Sequence, residues 1–344
     1  MATIDADSHV IETDATWQYM EGPDARYRPL TVVSKTDPPG EYWLIDGRLR
    51  SRGGNVGRDA FKECRELSNV AARLRHMDEL GTDIQVLYPS IWTSVMFGRP
   101  EIELAICRSY NRWLADAWRQ GEGRLRWVAV MPLMSLEKAV EELNFARDNG
   151  ACGLLHRAFE GNRHPSDPYF FPLYEEASRL KMPVCFHAGI GSAELHDMFN
   201  RAPGGGGFMK FKLPVISAFE TIVAGEIPTR FPELRFAFVE VSAQWVPYLM
   251  HYLARGRGEH TRKSPIAYDL FRENRLYVAC QLDDDLPQVL KYTGEDNVVL
   301  GTDYGHSDSS TELEALQILR RERPVSRDVV EKILDANPTA LYGL

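Results

Sequence analysis

Short, nearly continuous apolar runs alternate along this chain with longer stretches in which apolar residues recur at helical spacing. The short runs occupy residues 3–6, 83–88, 125–131, 151–155, 182–186, 234–239, 275–280 and 297–300. They lack apolar–polar alternation, which predicts strands buried on both faces, as in a parallel sheet covered by helices. Between them, residues 70–80, 100–120, 135–149, 169–180, 214–231, 244–255, 286–293 and 311–322 read as helices. Gly81, Gly150 and Gly294 stand just before the second, fourth and eighth strands, where a helix stop commonly needs positive φ. Eight β-then-α repeats predict an α/β fold, a (β/α)8 TIM barrel, spanning residues 1–344 as a single domain.

Two segments break the repeat and make the expected barrel a distorted one. Residues 13–64 form an insertion after the first strand, with a stretch, YWLIDGRLR, that reads as a hairpin turning at Asp46 and Gly47. Residues 188–213 carry four glycines at 204–207 and read as a mobile lid loop. The run lacks the Lys-Ser or Lys-Thr ending of a phosphate-binding loop. Both segments follow a strand, so in a barrel both lie over the active-site end. Residues 329–334 and the tail after them read as a final helix with a docked end.

Composition narrows the function classes. The net charge of -9 comes without a basic stripe, which argues against a nucleic-acid partner. No apolar stretch is long enough for a membrane span. The start, MATIDADSHVIE, has neither a basic lead nor an apolar core, so no secretory signal is expected. The five cysteines are scattered with no C-x-x-C pair, which fits reduced, buried thiols in a cytoplasmic protein.

Chemistry gathers at the strand ends. Asp7 and His9 close the first strand, and their spacing of two puts both side chains on one face. His187 ends the fifth strand, Glu240 the sixth and Asp303 the eighth, with His306 three residues beyond. In a barrel these ends meet at one face. Asp7, His9, His187 and Asp303 together are expected to hold one divalent ion, zinc first, with manganese or iron as alternatives. Glu240 reads as a metal ligand, a substrate contact or an orienting partner of a ligand. His306 reads as a general acid or a substrate anchor, or else as a loop histidine. His156 and Arg157 end the fourth strand and could pair with a substrate carboxylate, although Arg157 could equally sit in a loop-end salt bridge. His76, His164, His196, His251 and His260 read as background.

The segments IDADSHVIE, HMDELGTDIQVLYPS, MPVCFHAG, FVEVSAQWVPYL, VLGTDYGHSD and NPTALYGL carry a resemblance over nearly the whole chain. It resembles the amidohydrolase superfamily, in the amidohydrolase-2 branch that includes aminocarboxymuconate-semialdehyde decarboxylase and resorcylate decarboxylase. The resemblance places the family's first metal motif, usually His-x-His, on Asp7 and His9. It places the fifth-strand ligand on His187 and the eighth-strand aspartate, which binds metal and moves protons, on Asp303. The sixth-strand histidine of many relatives falls on Glu240, a departure.

The implied activity is non-oxidative decarboxylation of a small aromatic or unsaturated carboxylic acid, with Asp303, His306 and Glu240 as catalytic candidates. In that reading the metal holds the carboxylate and a neighbouring oxygen, and Asp303 or His306 protonates the carbon that loses CO2. The alternative is hydrolysis of an amide, lactone or carbon–carbon bond by a metal-activated water. More remote is a barrel that binds a small molecule without chemistry. A homodimer is expected, with Trp17, Tyr19 and Trp43 as contact candidates.

Overall fold

The structure is a computed structural model that describes residues 1–35, 39–93, 95–256, 269–322 and 324–344. Its strands in chain order are β1 (Ile4–Val10), β2 (Leu30–Ser34), β3 (Gly40–Ile45), β4 (Arg48–Ser51), β5 (Ile84–Pro89), β6 (Leu125–Ala129), β7 (Ala151–His156), β8 (Val184–His187), β9 (Phe236–Val239), β10 (Leu276–Cys280) and β11 (Val298–Leu300). Among the described residues, eight of them form one sheet in the order β1-β5-β6-β7-β8-β9-β10-β11. Every neighbouring pair in that sheet is parallel. The sheet closes on itself beyond β11, where Asp303 N donates to Asp7 O at 2.9 Å and His9 N to Tyr304 O at 2.8 Å. These bonds make a (β/α)8 barrel, and they close it at the residues that carry the candidate chemistry.

The continuous apolar runs are strands because both of their faces are covered. β7, β8, β9 and β10 are buried at every position. Phe186, Phe236 and Phe238 stack side by side on the outer face of the sheet, with Phe186 ring centroids 6.5 and 5.3 Å from the other two, and Tyr174 and Phe219 of the covering helices pack on them. Outside, helix Val70–Glu79 begins where Asn69 accepts a hydrogen bond from Ala72 N. Helix Pro100–Gln120 begins on a proline with Glu101 and Glu103 in its first turn, favourable at the positive end of the helix dipole. Gly81, Gly150 and Gly294 take φ of 65°, 87° and 73°, as their positions require. The expected docked tail is helical, Asn337–Tyr342, and the Tyr342 hydroxyl lies 2.8 Å from both Ala6 O and the Tyr88 hydroxyl.

The first strand runs further than its apolar stretch predicts and carries Asp7 and His9 within it. Its register against β5 shifts between Asp5 and Ser8, a bulge of the kind that re-aims side chains near active sites. The insertion contains the antiparallel sheet β2-β3-β4, and the hairpin turns at Asp46 and Gly47 as expected.

Two expectations are corrected. Residues 188–213 are largely helical rather than an open loop, with Ala193–Asn200, a 3-10 turn at Pro203–Gly206 and a wide turn at Phe208–Lys212. Ser192 caps the first of these by accepting from Leu195 N, and Gly206 absorbs a φ of 65°. Trp17 and Trp43 are buried edge-to-face within the chain, and Tyr19 donates to Asp116 at 2.6 Å. Trp17 and Trp43 therefore serve the internal packing of the insertion, while Tyr19 is half-buried. No helix among the described residues is long and apolar enough to cross a membrane.

Candidate metal centre and its cavity

Six of the residues singled out in the sequence converge at the carboxyl ends of the barrel strands. His9 Nε2 lies 3.1 Å from His187 Nε2, 3.5 Å from Asp7 Oδ1, 3.4 Å from Glu240 Oε2 and 3.4 Å from Asp303 Oδ1. His187 Nε2 lies 3.3 Å from Asp7 Oδ1 and 2.9 Å from Glu240 Oε2. His306 Nδ1 lies 2.8 Å from Asp303 Oδ1, and its ring stacks on His9 at 3.7 Å. All six side chains are buried.

The backbone is bent to bring two of them in. Glu240 and Asp303 hold φ of 62° and 52°, in the left-handed region that costs a non-glycine residue about 1 kcal/mol or more. Neighbouring bonds hold these bends in place. Lys212 Nζ donates to Glu240 O at 2.6 Å, and Thr311 Oγ1 donates to Asp303 Oδ2 at 2.7 Å.

Burial makes each charge here expensive, and the neighbours decide which survive. It acts upward on Asp7, but the His187 and His9 charges outweigh it and leave the carboxyl at about 2. Glu240 lies in the same field and is held well below the usual carboxylate range despite its burial. Burial acts downward on the imidazoles, yet the surrounding carboxylates lift His187 to about 9 and His9 well above its ordinary value. Burial and the Glu240 charge push Asp303 the other way, well up, while burial and the His9 charge push His306 well down. The carboxylates therefore create a cage that favours positive charge.

Its donor atoms fit a metal ion better than a proton network. Glu240 Oε2 and Asp303 Oδ1 are buried and make no hydrogen bond, although imidazole nitrogens stand 2.9 and 2.8 Å away. His187 Nδ1 faces Ala188 O at 3.3 Å, which favours the tautomer whose Nε2 lone pair points into the cluster. The ligand-type atoms of Asp7, His9, His187 and Glu240 lie within 4.8 Å of one another, as do those of His9, Glu240, Asp303 and His306. Imidazole and carboxylate donors at this spacing suit a divalent transition ion.

A cavity of about 990 Å³ opens onto Glu240 and His306. Two further floor residues carry no metal-motif signature. Glu12 accepts from the backbone N–H groups of Ser90 and Ile91 at 3.0 and 3.1 Å, and burial pushes it up to about 7. Ser90 Oγ donates to Val10 O at 2.7 Å and lies 2.8 Å from His306 Nε2, so that nitrogen is the donor between them. Arg50, His196 and Lys210 line the outer wall. Sequence reasoning passes over Arg50 and Lys210, and it assigns His196 to the background. Their role depends on how the insertion and residues 193–212 fold over the barrel, which strand periodicity does not encode.

His156 and Arg157 do not join the site, and the expectation that they bind substrate is corrected. The Arg157 guanidinium is buried against Glu160, with bonds of 2.8 and 2.7 Å, and also donates to Val95 O. The salt-bridge alternative describes it. The His156 ring sits among Phe170, Phe186 and Tyr174, and neither nitrogen has a hydrogen-bond partner. Burial depresses it to about 4. His76 pairs with the Tyr304 hydroxyl at 2.7 Å, and His260 lies outside the described residues.

The fold and its donor cluster define a metal-site barrel, and the sequence agrees. The chain matches the Amidohydrolase family model over residues 4–344 and belongs to that family. It is similar to a 2-amino-3-carboxymuconate-6-semialdehyde decarboxylase from Dictyostelium discoideum, 22% identical over 283 residues that cover 79% of this chain and 76% of the relative. An amidohydrolase structure from Mycobacterium avium subsp. paratuberculosis K-10 superposes with a TM-score of 0.78 at 19% identity, covering 99% of each chain. A 5-carboxyvanillate decarboxylase from Novosphingobium aromaticivorans DSM 12444, with bound manganese and 3-methoxy-4-hydroxy-5-nitrobenzoic acid, superposes with a TM-score of 0.66 at 16% identity over 79% of this chain and 80% of that one.

Proposed function

We propose that this protein is a divalent-metal-dependent carboxy-lyase that removes CO2 from an aromatic or unsaturated carboxylic acid without an oxidant. The observation that carries the reading is the pair of orphaned carboxylate oxygens, Glu240 Oε2 and Asp303 Oδ1, aimed at the same point as two imidazole nitrogens. Asp7, His9, His187, Glu240 and Asp303 would hold the ion. Three carboxylates with two imidazoles suit manganese as well as zinc. When bound, the ion supplies positive charge that anchors the substrate's carboxylate side and stabilises negative charge developing on it. The decarboxylases among the similar proteins support this reading of the family's chemistry.

The chain's own groups handle the proton. Burial and the Glu240 charge push the Asp303 carboxyl up, which suits it to take up a proton from the cavity and pass it on, and the His306 Nδ1 lone pair stands 2.8 Å away. The proton from Asp303 goes to the carbon bearing the carboxylate. The carbon–carbon bond then breaks, its electron pair stays on that carbon framework, and CO2 leaves. Ser90 holds the His306 ring so that Nδ1 faces Asp303.

A closed homo-oligomer, most simply a dimer, and a cytoplasmic setting belong to the same proposal. All five cysteines are free and buried, which is compatible with a reducing setting. The test is elemental analysis of the purified protein followed by a CO2-release screen over hydroxybenzoate-type acids. About one zinc or manganese per chain with metal-dependent CO2 release supports the reading. Metal-loaded protein that releases CO2 from none of the acids, while hydrolysing an amide or lactone, replaces it with hydrolysis.

A further inference from the structure

The cavity's size and its outer wall say more about the substrate than the metal cluster does. At about 990 Å³ it stands at the top of the ~300–1,000 Å³ range of pockets that enclose drug-sized ligands. A single-ring acid seated at Glu240 and His306 leaves most of that space unused. The remaining wall is built by the two segments that depart from the barrel repeat. Leu49 of β4 and Phe208 of the 208–212 turn present apolar surface, and both are more than half exposed.

Three basic groups stand among them. Arg50 projects from β4, His196 from helix Ala193–Asn200 and Lys210 from the turn Phe208–Lys212. They repel one another. Burial, then Arg48 and Arg157, pull Arg50 down to about 10, and burial with the Arg50 charge lowers Lys210. The Asp197 carboxylate beside Arg50 is exposed and faces His196 Nδ1 at 3.3 Å, while Glu12, Glu240 and Asp308 line other parts of the cavity. Arg50 Nε is buried without a hydrogen-bond partner, and Lys210 donates to the neutral Oδ1 of Asn200 at 2.9 Å. Clustered cations left short of counter-charge and facing a cavity are what an anionic ligand group would satisfy.

We propose that the substrate carries its acid head on an apolar body larger than one ring, and that a second anionic group at the far end of that body binds Arg50 and Lys210. The inference rests on the metal-site reading for the position of the head. It adds a distal subsite built from the inserted sheet and the 193–212 segment.

The test is binding rather than turnover, with three probes that share one chelating head: salicylate, 5-phenylsalicylate and 5-(4-carboxyphenyl)salicylate. Calorimetry on metal-loaded protein is expected to show roughly a tenfold gain from the added ring, as burial of apolar surface predicts. A further gain of about fivefold or more is expected from the distal carboxylate, within the range of charge-assisted hydrogen bonds. That second gain disappears in Arg50→Gln and shrinks in Lys210→Gln, while the gain from the ring stays. Thermal melts check that both variants fold, and either one alone tests the carboxylate step. Extended probes that bind no tighter than salicylate overturn the proposal, as does a carboxylate gain that survives in both variants. Repeating the series on metal-stripped protein separates the two readings. Metal dependence of salicylate binding bears on the head site, and the ratio between the two extended probes bears on the distal subsite.

Discussion

His9 and His187 point their Nε2 atoms at each other across 3.1 Å, with Glu240 Oε2 3.4 and 2.9 Å from them. Two imidazoles in this position carry protons only because carboxylates surround them. The folded pKa of His187, at about 9, lies above the ordinary 6.5, and His9 is raised as well. In metal-free protein these protonated rings stabilise the fold fully below about pH 6.5, and that contribution is lost as pH rises through about 9. A divalent ion has to displace the same protons, so its affinity rises over the same interval. Zinc or manganese affinity is therefore expected to be at least about tenfold higher at pH 8.5 than at pH 6.5. Titration calorimetry at the two pH values checks this, and equal affinities would falsify the shared-site picture.

Glu240 stands at the sixth strand end, where the resemblance leads one to expect a histidine. Its Oε2 is an orphan in the cluster, so removing its charge should weaken metal binding directly. Glu240→Gln is expected to lower metal affinity by about tenfold or more, comparable to the loss of a supporting ligand group. Glu240→His supplies an imidazole donor and should retain the ion. Metal content after dialysis against a weak chelator distinguishes the two variants. Similar retention by Glu240→Gln and wild type would remove Glu240 from the ligand set.

Gly301 is required by close approach. A Cβ there would stand 2.2 Å from Asp7 Cβ and 2.7 Å from Asp7 N, and the latter is backbone that cannot swing aside. Gly301→Ala must push β1 away from the eighth strand end. A loss of about 1–3 kcal/mol is expected, as for overpacking in a tight interior, together with weakened metal binding. Urea unfolding and metal content measure the two effects. An unchanged midpoint with full metal content would show that the barrel seam yields more easily than the contact suggests.

His156 gives a second pH signature, of opposite sign. Its folded pKa of about 4 is below 6.5, so the stability of its neutral buried form is present above pH 6.5 and is lost as pH falls toward about 4. That interval corresponds to roughly 3 kcal/mol at most. His156→Phe places an apolar ring beside Phe170 and Phe186 and removes two unpartnered nitrogens. The variant is expected to match or exceed wild-type stability at pH 7.5 and to lose less on acidification to pH 4.5. Unfolding midpoints at the two pH values settle the point, and parallel losses in both proteins count against it.

The strand residues were legible because their signal is local. Nearly unbroken apolar runs such as those at 151–155 and 234–239 have few structural uses other than a strand covered on both faces. The sequence also placed Asp7, His9, His187 and Asp303 together, since strand ends in a barrel meet whatever their separation in the chain. Arg157 was harder. Its partner Glu160 stands three residues on, but a loop's path decides whether such a pair closes. Arg50, His196 and Lys210 were not legible as a group, because they meet only after an inserted sheet and a helical segment fold over the mouth. The glycines at 204–207 suggested an open loop, and the capping by Ser192 and the run after Phe208 carried the helix through the segment instead.

Asp303 decides between the two chemistries this family offers. Its Oδ2 accepts from Thr311, its Oδ1 faces the cluster, and burial with the Glu240 charge pushes its pKa well up. Asp303→Asn keeps the size and one oxygen donor but removes the titratable proton. The variant is expected to fold and to hold some metal, yet to lose activity by about a hundredfold or more, as when a general acid or base is removed. The wild type then reveals where solvent enters. A decarboxylase working in D2O places deuterium on the carbon that lost CO2, and in 18O-labelled water it leaves the organic product unlabelled. A hydrolase places 18O in a new carboxylate or hydroxyl group and releases no CO2. The upward push on the Asp303 carboxyl suits proton donation to carbon, whereas a general base for water must begin ionised. Solvent oxygen in the product without CO2 would hand the reaction to the hydrolase reading. An Asp303→Asn variant as active as wild type would remove both mechanisms, because each needs this carboxyl to carry a proton.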